Sequence, residues 1–333
     1  MEFEGLPTTP TADELVDQAF SRAARAGRAK SGVEAQRSML MTASNVLSDN
    51  LENVAKQWPD FRDLDPFYTE FGDAVLRREF ALEDAGQEAG LNALRRHLAQ
   101  VSWAGRQTKS LGREYVGRLG EGADTARKLR KQAFARMADV VESVADDLDA
   151  VGDARNALTA LPDIVADEPT VVVAGSPNVG KTAFVNAVTR ADNETAAYPF
   201  TTTGVLVGHV ERDYVRYQIV DTPGLLDRPA AERNDIESQA TSALVHLADA
   251  VLFVLDASGA SGYALDDQRA LLAEVRETVD CPVVTACNKA DLDRSVDADH
   301  YMSVTEDEGV DEVLDAVLDA VGYEPELPFD EGA

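Results

Sequence analysis

Cysteine, lysine and aromatic residues are all scarce in this chain: of 333 residues two are cysteine, seven are lysine and 6% are aromatic. Cys281 and Cys287 stand close together on one segment, and the four histidines are scattered. That excludes a disulfide-stapled secreted module and a thiolate metal site, and predicts a reducing compartment. No apolar run approaches the roughly 20 residues of a membrane span, and the N-terminus carries no charged-then-apolar leader, so a cytoplasmic protein without a membrane partner is expected. Positive charge is the largest deficit. Thirty-one bases face 60 acids, a net of −29. The acids are dispersed rather than gathered in a tail. Acid enrichment with lysine depletion predicts a halophilic protein, hydrated by its charge while salt screens the self-repulsion. The alternative is an acidic protein seeking a basic partner.

What is present is a phosphate loop. Gly175-Ser176-Pro177-Asn178-Val179-Gly180-Lys181-Thr182 fits G-x-x-x-x-G-K-S/T, between an apolar strand from Thr170 and a helical segment from Ala183. Glycines let backbone N–H groups turn inward around an anion, and the helix N-terminus adds partial positive charge there. Lys181 is expected to reach the β- and γ-phosphates and Thr182 to offer its hydroxyl to Mg²⁺.

Three further motifs choose the nucleotide. Asn288-Lys289-Ala290-Asp291 follows the apolar run Val283–Cys287. The Asp291 carboxylate can accept from N1–H and the exocyclic amine of guanine, donors that adenine lacks, so GTP and GDP are the expected ligands. Asp221-Thr222-Pro223-Gly224 ends another apolar strand, with Asp221 expected on Mg²⁺ through water and the Gly224 N–H on the γ-phosphate. Between this motif and the loop lies Tyr198-Pro199-Phe200-Thr201-Thr202-Thr203-Gly204. A threonine here can close over Mg²⁺ in the triphosphate state and let go after hydrolysis; Thr202 is favoured and Thr201 is the alternative. Ser303-Val304-Thr305 is a fifth element, whose backbone would touch the base.

Residues 161–169 are bracketed by prolines and mark the expected boundary. Beyond them, 170–325 alternates strands (near 170–175, 204–211, 214–221, 249–256, 282–288 and 301–304) with helices (near 181–190, 231–247, 265–279 and 308–321). This predicts an α/β P-loop domain with a mostly parallel, doubly wound sheet, and 326–333 is an acidic tail. Residues 1–160 read as an all-α antiparallel bundle. Thr11-Ala12-Asp13-Glu14 and Ser31-Gly32-Val33-Glu34 both fit the capping box. Met137, Val140, Val141, Val144 and Leu148 form a helical apolar stripe.

Charge divides unevenly. Residues 161–333 hold 34 acids and 10 bases, whereas 1–160 hold 26 acids and 21 bases. Within 95–136, eleven bases (Arg95, Arg96, Arg106, Lys109, Arg113, Arg118, Arg127, Lys128, Arg130, Lys131 and Arg136) face three acids. Such a patch is either a solvated face countered by neighbouring helices or an RNA contact surface. The acidity of everything else favours RNA.

With G-x-P-N-V-G-K-T and Y-P-F-T-T the chain resembles the Obg-related translation GTPases, and more specifically the nucleolar G-protein (Nog) family in its archaeal, haloarchaeal form. The bundle carries that resemblance through Gln36-Arg37, Trp58-Pro59-Asp60-Phe61, Asp65-Pro66-Phe67-Tyr68, Arg113-Glu114-Tyr115-Val116 and Arg155-Asn156-Ala157-Leu158-Thr159-Ala160-Leu161-Pro162. Val207-Gly208-His209 and the stretch 233–247 carry it in the GTPase half. It implies an assembly factor for the large ribosomal subunit precursor, with the bundle against ribosomal RNA, monomeric away from the ribosome. The resemblance does not reach the long C-terminal extension of the eukaryotic members, and no role of that extension is carried over.

The residue after Gly224 is Leu225, where many G-proteins place the glutamine that orients water. Intrinsic hydrolysis is therefore expected to be slow. In similar GTPases an asparagine at the position of Asn178 helps bind K⁺ beside the bridging phosphate oxygen; the competing reading is that Asn178 only shapes the loop. Three functions compete: a hydrolysing assembly switch, an Obg-like growth or stress regulator, and an RNA-bound scaffold with little turnover. The basic bundle favours the first, and Leu225 keeps the third open.

Overall fold

The structure is a computed structural model that describes residues 3, 5–80, 89–120, 122–160, 164–189, 194–196, 205–221, 226, 241 and 244–323. Among them the chain forms two compact units. The first holds Phe3–Asp63 and Glu79–Thr159; the second holds Leu64–Arg78 and Ala160–Ala333.

The first unit is helical. Its elements are α1 (Ala12–Arg28), α2 (Gly32–Lys56), α4 (Gly90–Gly117), α5 (Ala123–Glu142) and α6 (Ala145–Thr159). Helix α2 is its axis and packs on α1, α4 and α5. Leu40, Ala43, Leu47 and Leu51 at spacings of three and four are all fully buried, which is the apolar stripe that burial against partners requires. Small residues bring α2 and α4 close: a side chain added at Gly112 would overlap Ser44, and Ser44 donates to the Thr108 carbonyl at 3.2 Å. Thr11 and Glu14 form the expected capping box of α1. The second box is absent: Ser31 starts α2 without a side-chain cap, and the Glu34 carboxylate, which would bond back to the Ser31 N–H, pairs with Lys30 at 2.8 Å instead. The stripe from Met137 to Leu148 is buried at Met137, Val141, Val144 and Leu148, but it crosses a break at Ser143–Val144 that divides it between α5 and α6.

The second unit is built on a seven-stranded sheet in the order β2-β3-β4-β1-β5-β6-β7. The strands are β1 (Thr170–Ala174), β2 (Glu194–Ala196), β3 (Val205–Arg212), β4 (Val215–Asp221), β5 (Ala250–Asp256), β6 (Val283–Asn288) and β7 (His300–Tyr301). Pairing is parallel from β4 to β7 and antiparallel at the β2–β3–β4 edge. Strands β1 and β5 are buried at every residue, as central strands covered on both faces must be; hence their unbroken apolar runs. Helices α7 (Lys181–Thr189), α8 (Leu265–Thr278) and α9 (Val310–Val321) complete the described part of this unit. From β1 the chain crosses first to the β2–β4 side and later to the β5–β7 side, so β1 lies at the topological switch point, where such sheets open a ligand crevice.

Helix α3 (Pro66–Glu79), read in the sequence as bundle, belongs to this second unit. Its Tyr68 hydroxyl donates to the Ile164 carbonyl (3.0 Å) and accepts from the Ala166 N–H (3.1 Å). The same segment is clamped on β4 by Gln218, which exchanges both amide hydrogen bonds with Val165 at 2.7 and 2.8 Å. Tyr68 therefore serves the sheet through tertiary bonds that no local pattern announces. Among the described residues no helix is long and apolar enough to cross a membrane.

Candidate guanine-nucleotide site

Four parallel strands end together at one edge of the sheet, and each delivers a polar residue there. Strand β1 runs into Gly175, β4 ends in Asp221, β5 in Asp256 and β6 in Asn288. Ser176, Lys181, Asp221, Asp256, Asn288 and Ser303 are all buried. A buried polar group is costly unless paired, so the arrangement of its bonds is informative.

The loop takes the shape its glycines permit. Gly175 has φ +135° and Gly180 +107°. The Lys181 ammonium folds over the loop, donating to the Gly175 carbonyl (2.7 Å) and the Ser176 carbonyl (3.1 Å). The Gly175 N–H donates to the Leu226 carbonyl at 3.2 Å, so the segment just after Asp221-Thr222-Pro223-Gly224 closes on the loop. Thr182, at the start of α7, donates its hydroxyl to Asp221 Oδ2 at 2.5 Å. That bond spends the hydroxyl proton and keeps the oxygen lone pairs available. A hydroxyl and a carboxylate are hard oxygen donors of the kind Mg²⁺ takes, so the pair fits that ion.

The guanine box is wired into the same loop. Asn288 donates from Nδ2 to the Val179 carbonyl (2.8 Å) and accepts at Oδ1 from the Val304 N–H (3.2 Å). It thus joins the phosphate loop to the segment Ser303-Val304. Lys289 donates to the Asn178 carbonyl (3.0 Å) and to Asp256 Oδ2 (2.7 Å). Asp291 is exposed, one turn beyond, in a segment anchored by the Ala290 N–H on the Met302 carbonyl at 3.0 Å. Hydrogen bonds thus join the phosphate loop (Gly175, Asn178, Val179, Gly180, Lys181 and Thr182) to Asp221 and, through Asn288 and Lys289, to Val304; Ser303 and Asp291 lie in the neighbouring segments. Thr201, Thr202, Gly224 and Leu225 lie outside the described residues, as do 161–163 and the tail. Sequence reasoning passed over Asp256. The available signal was an acid ending a buried apolar run at the carboxyl edge of a parallel strand.

Comparison with known proteins gives the family. The family described as "NOG1 N-terminal helical domain" matches residues 3–165, and that described as "50S ribosome-binding GTPase" matches 170–289. A Methanocaldococcus jannaschii protein, "Uncharacterized protein MJ1408", is 35% identical over 301 residues, covering 87% of this chain and 81% of its own. "Nucleolar GTP-binding protein 1" of Eremothecium gossypii is 30% identical over 97% of this chain, and its Drosophila melanogaster namesake 35% identical over 73%. The chain belongs to the nucleolar G-protein (Nog) family. It spans 49% of the Eremothecium Nog protein and 36% of the Drosophila one, about half or less of these curated relatives. In Nog terms the helical-domain match covers the first unit together with α3, and the GTPase match covers the sheet from β1 to β6.

The basic stretch singled out in the Nog helical domain sits on α4 and α5. Arg95, Arg106, Lys109 and Arg113 recur at helical spacing and share one stripe of α4; Arg95, Arg106 and Arg113 are exposed and Lys109 is half-buried. Arg96 is turned about 100° from that stripe, on the side of the exposed Trp103. On α5, Arg127, Lys128 and Lys131 are exposed, whereas Arg130 turns inward and lies over the Phe134 ring at 5.0 Å. Burial, and then neighbouring Arg127, lower the Arg130 pKa from its usual value. Among the described residues, Arg127 has an ion pair with Asp124 at 3.7 Å and Arg118, at the end of α4, one with Glu114 at 3.2 Å; the other bases named here have no carboxylate within 4.0 Å.

Proposed function

We propose that the chain is a GTP-hydrolysing switch that assists assembly of the large ribosomal subunit and docks its helical unit on ribosomal RNA. One observation carries the proposal: in a chain of net charge −29, most cations of the α4 and α5 stretch have no carboxylate within 4.0 Å among the described residues, Arg118 and Arg127 excepted. Counter-charges on neighbouring helices would have made it a solvated face; their scarcity favours a phosphate backbone as partner. The descriptions of the matching families and relatives, ribosome-binding and nucleolar, point the same way. Co-sedimentation with large-subunit precursors tests it. More protein is expected to travel with the particles in a non-hydrolysable GTP analogue than in GDP. Charge reversal at Arg127, Lys128 and Lys131 is expected to cut the bound fraction about tenfold or more in moderate salt, each phosphate contact adding to the salt dependence. Unchanged sedimentation of the reversed protein removes this surface from RNA binding.

For hydrolysis, the chain positions and screens. Lys181 and the loop N–H groups hold the phosphates, Thr182 and Asp221 would hold Mg²⁺, and that ion offsets charge on the β- and γ-oxygens when bound. With Leu225 in the water-positioning place, intrinsic turnover is slow. Asn178 offers the compensating group. Its backbone is left-handed, with φ +61°, and its side chain is exposed with no hydrogen bond among the described residues. It therefore shapes the loop through its backbone and leaves the amide oxygen available for K⁺, in keeping with an acidic protein suited to a potassium-rich, salty cytoplasm. Turnover is expected to be about tenfold or more faster in KCl than in NaCl at equal ionic strength, and Asn178→Ala to abolish the difference. Equal rates in both salts remove K⁺ from the scheme. No measurable turnover with or without particles would favour a GTP-binding scaffold.

A further inference from the structure

The side chain that organises the guanine end of this crevice belongs to none of the four motifs. Asp256 ends β5 and is 1% exposed. Both of its carboxylate oxygens are used twice. Oδ1 accepts from the Ser258 N–H (2.9 Å) and the Ser258 hydroxyl (2.5 Å). Oδ2 accepts from the Ser261 N–H (2.8 Å) and the Lys289 ammonium (2.7 Å). Its main chain is pinned as well: fully buried Gln268 accepts from the Asp256 N–H and donates to the Asp256 carbonyl, both at 2.9 Å, and also donates to the Tyr263 carbonyl at 3.1 Å. Burial opposes ionisation of Asp256, but Lys289 and Ser258 outweigh it and hold the carboxyl below its usual range. The group is a fixed anion with one cation to place.

That cation has a second contact. Lys289 also donates to the carbonyl of Asn178, on the phosphate loop. Lys289 is left-handed (φ +57°) without being glycine or asparagine, a conformation that its surroundings must hold, whereas Asn178 (φ +61°) adopts it readily. An ammonium on a flexible four-carbon stem would not by itself choose one carbonyl. Anchored on the strand side by Asp256, it does.

We propose that Asp256 is a positioning residue that acts through Lys289. It fixes the ammonium against the Asn178 carbonyl and so sets the phosphate loop and the guanine box relative to each other before nucleotide arrives. This rests on reading the crevice as the guanine-nucleotide site. The competing role is a buried ion pair that serves only the fold.

A double-mutant cycle on nucleotide release separates the two. Dissociation of a fluorescent GDP is measured for the full chain, for Asp256→Asn, for Lys289→Met and for both together, with the thermal midpoint of each protein. Asparagine can place an amide donor where Oδ2 was, facing the Ser261 N–H and the ammonium, so it removes the anchor at nearly constant volume. Release is expected to speed up about ten- to hundredfold in each single variant. The double variant is expected to be no faster than the faster single one, because the two residues act as a unit. A lowered midpoint with wild-type release in Asp256→Asn overturns the proposal and leaves a fold-only ion pair. So does a double variant whose effects multiply. Asp256→Ser, too small to clash, carries the same cycle should the asparagine variant not fold. Failure of the unaltered chain to bind labelled GDP overturns the guanine-site reading and this proposal together, whereas binding with unchanged release in the Asp256 variants overturns the proposal alone.

Discussion

Asp291→Asn is expected to turn the site from guanine towards xanthine nucleotides. The carboxylate is exposed, in a segment held by the Ala290–Met302 backbone bond, so its substitution disturbs no core. What it removes is a pair of charge-assisted acceptors for N1–H and the C2 amine. Hydrogen bonds to charged groups contribute about 1.5–3 kcal/mol each, so GTP affinity should fall on the order of 10²- to 10⁴-fold. Xanthine keeps N1–H and carries an oxygen at C2. An asparagine amide can accept from the first and donate to the second, restoring both bonds. Competition of GTP and xanthosine triphosphate against a fluorescent nucleotide measures the switch. Retained preference for GTP in the variant would remove Asp291 from base recognition, and with it the main sequence argument for guanine over adenine.

The strands were legible because burial on both faces leaves a plain trace. Val171–Ala174 and Ala250–Leu255 are apolar runs that stop at a glycine and an acid, and the strands Thr170–Ala174 and Ala250–Asp256 fall within one residue of where those runs place them. The phosphate loop and the guanine box were legible because their chemistry demands particular residues at short fixed spacing. Asp256 lacked that advantage: a single acid after an apolar run is ordinary, and its meaning comes from Lys289, 33 positions away. Helix α3 failed to show its allegiance for a related reason. Amphipathic periodicity says that a face is buried but not against what, and here Tyr68 ties the helix to 164–166 across nearly 100 residues. The missing cap at Ser31 shows the limit of local rules from the other side. The motif was complete, yet Lys30 took the carboxylate that the box required. The short edge strand Glu194–Ala196 gave no apolar signal at all, since its existence depends on pairing with β3.

The two glycines of the phosphate loop should fail in different ways when each is replaced by alanine, because each meets a different kind of obstacle. At Gly175, with φ +135°, an added Cβ would overlap the carbonyl oxygen of Val254. That oxygen belongs to β5, whose Val254 is paired with Ala286 of β6, so no flexible group can give way. Backbone strain of about 1–3 kcal/mol and a similar overpacking term combine, and Gly175→Ala should lose about 3–5 kcal/mol of the roughly 5–15 typical of natural proteins. For a unit of this size that lowers the thermal midpoint by roughly 10 °C. At Gly180, with φ +107°, the Cβ would instead overlap Nδ2 of Asn288, the end of a side chain. That amide can move, but only by leaving the Val179 carbonyl and the Val304 N–H that it joins. Gly180→Ala should therefore keep most of the stability, losing the strain alone, while nucleotide release accelerates on the order of tenfold or more as the base box is uncoupled from the loop. Thermal unfolding and dissociation of a fluorescent GDP on both variants decide it. A larger midpoint loss at Gly180 than at Gly175 would mean that Asn288 is held by the fold rather than by the site. In the expected order, one glycine guards the sheet and the other guards the connection between phosphate and base.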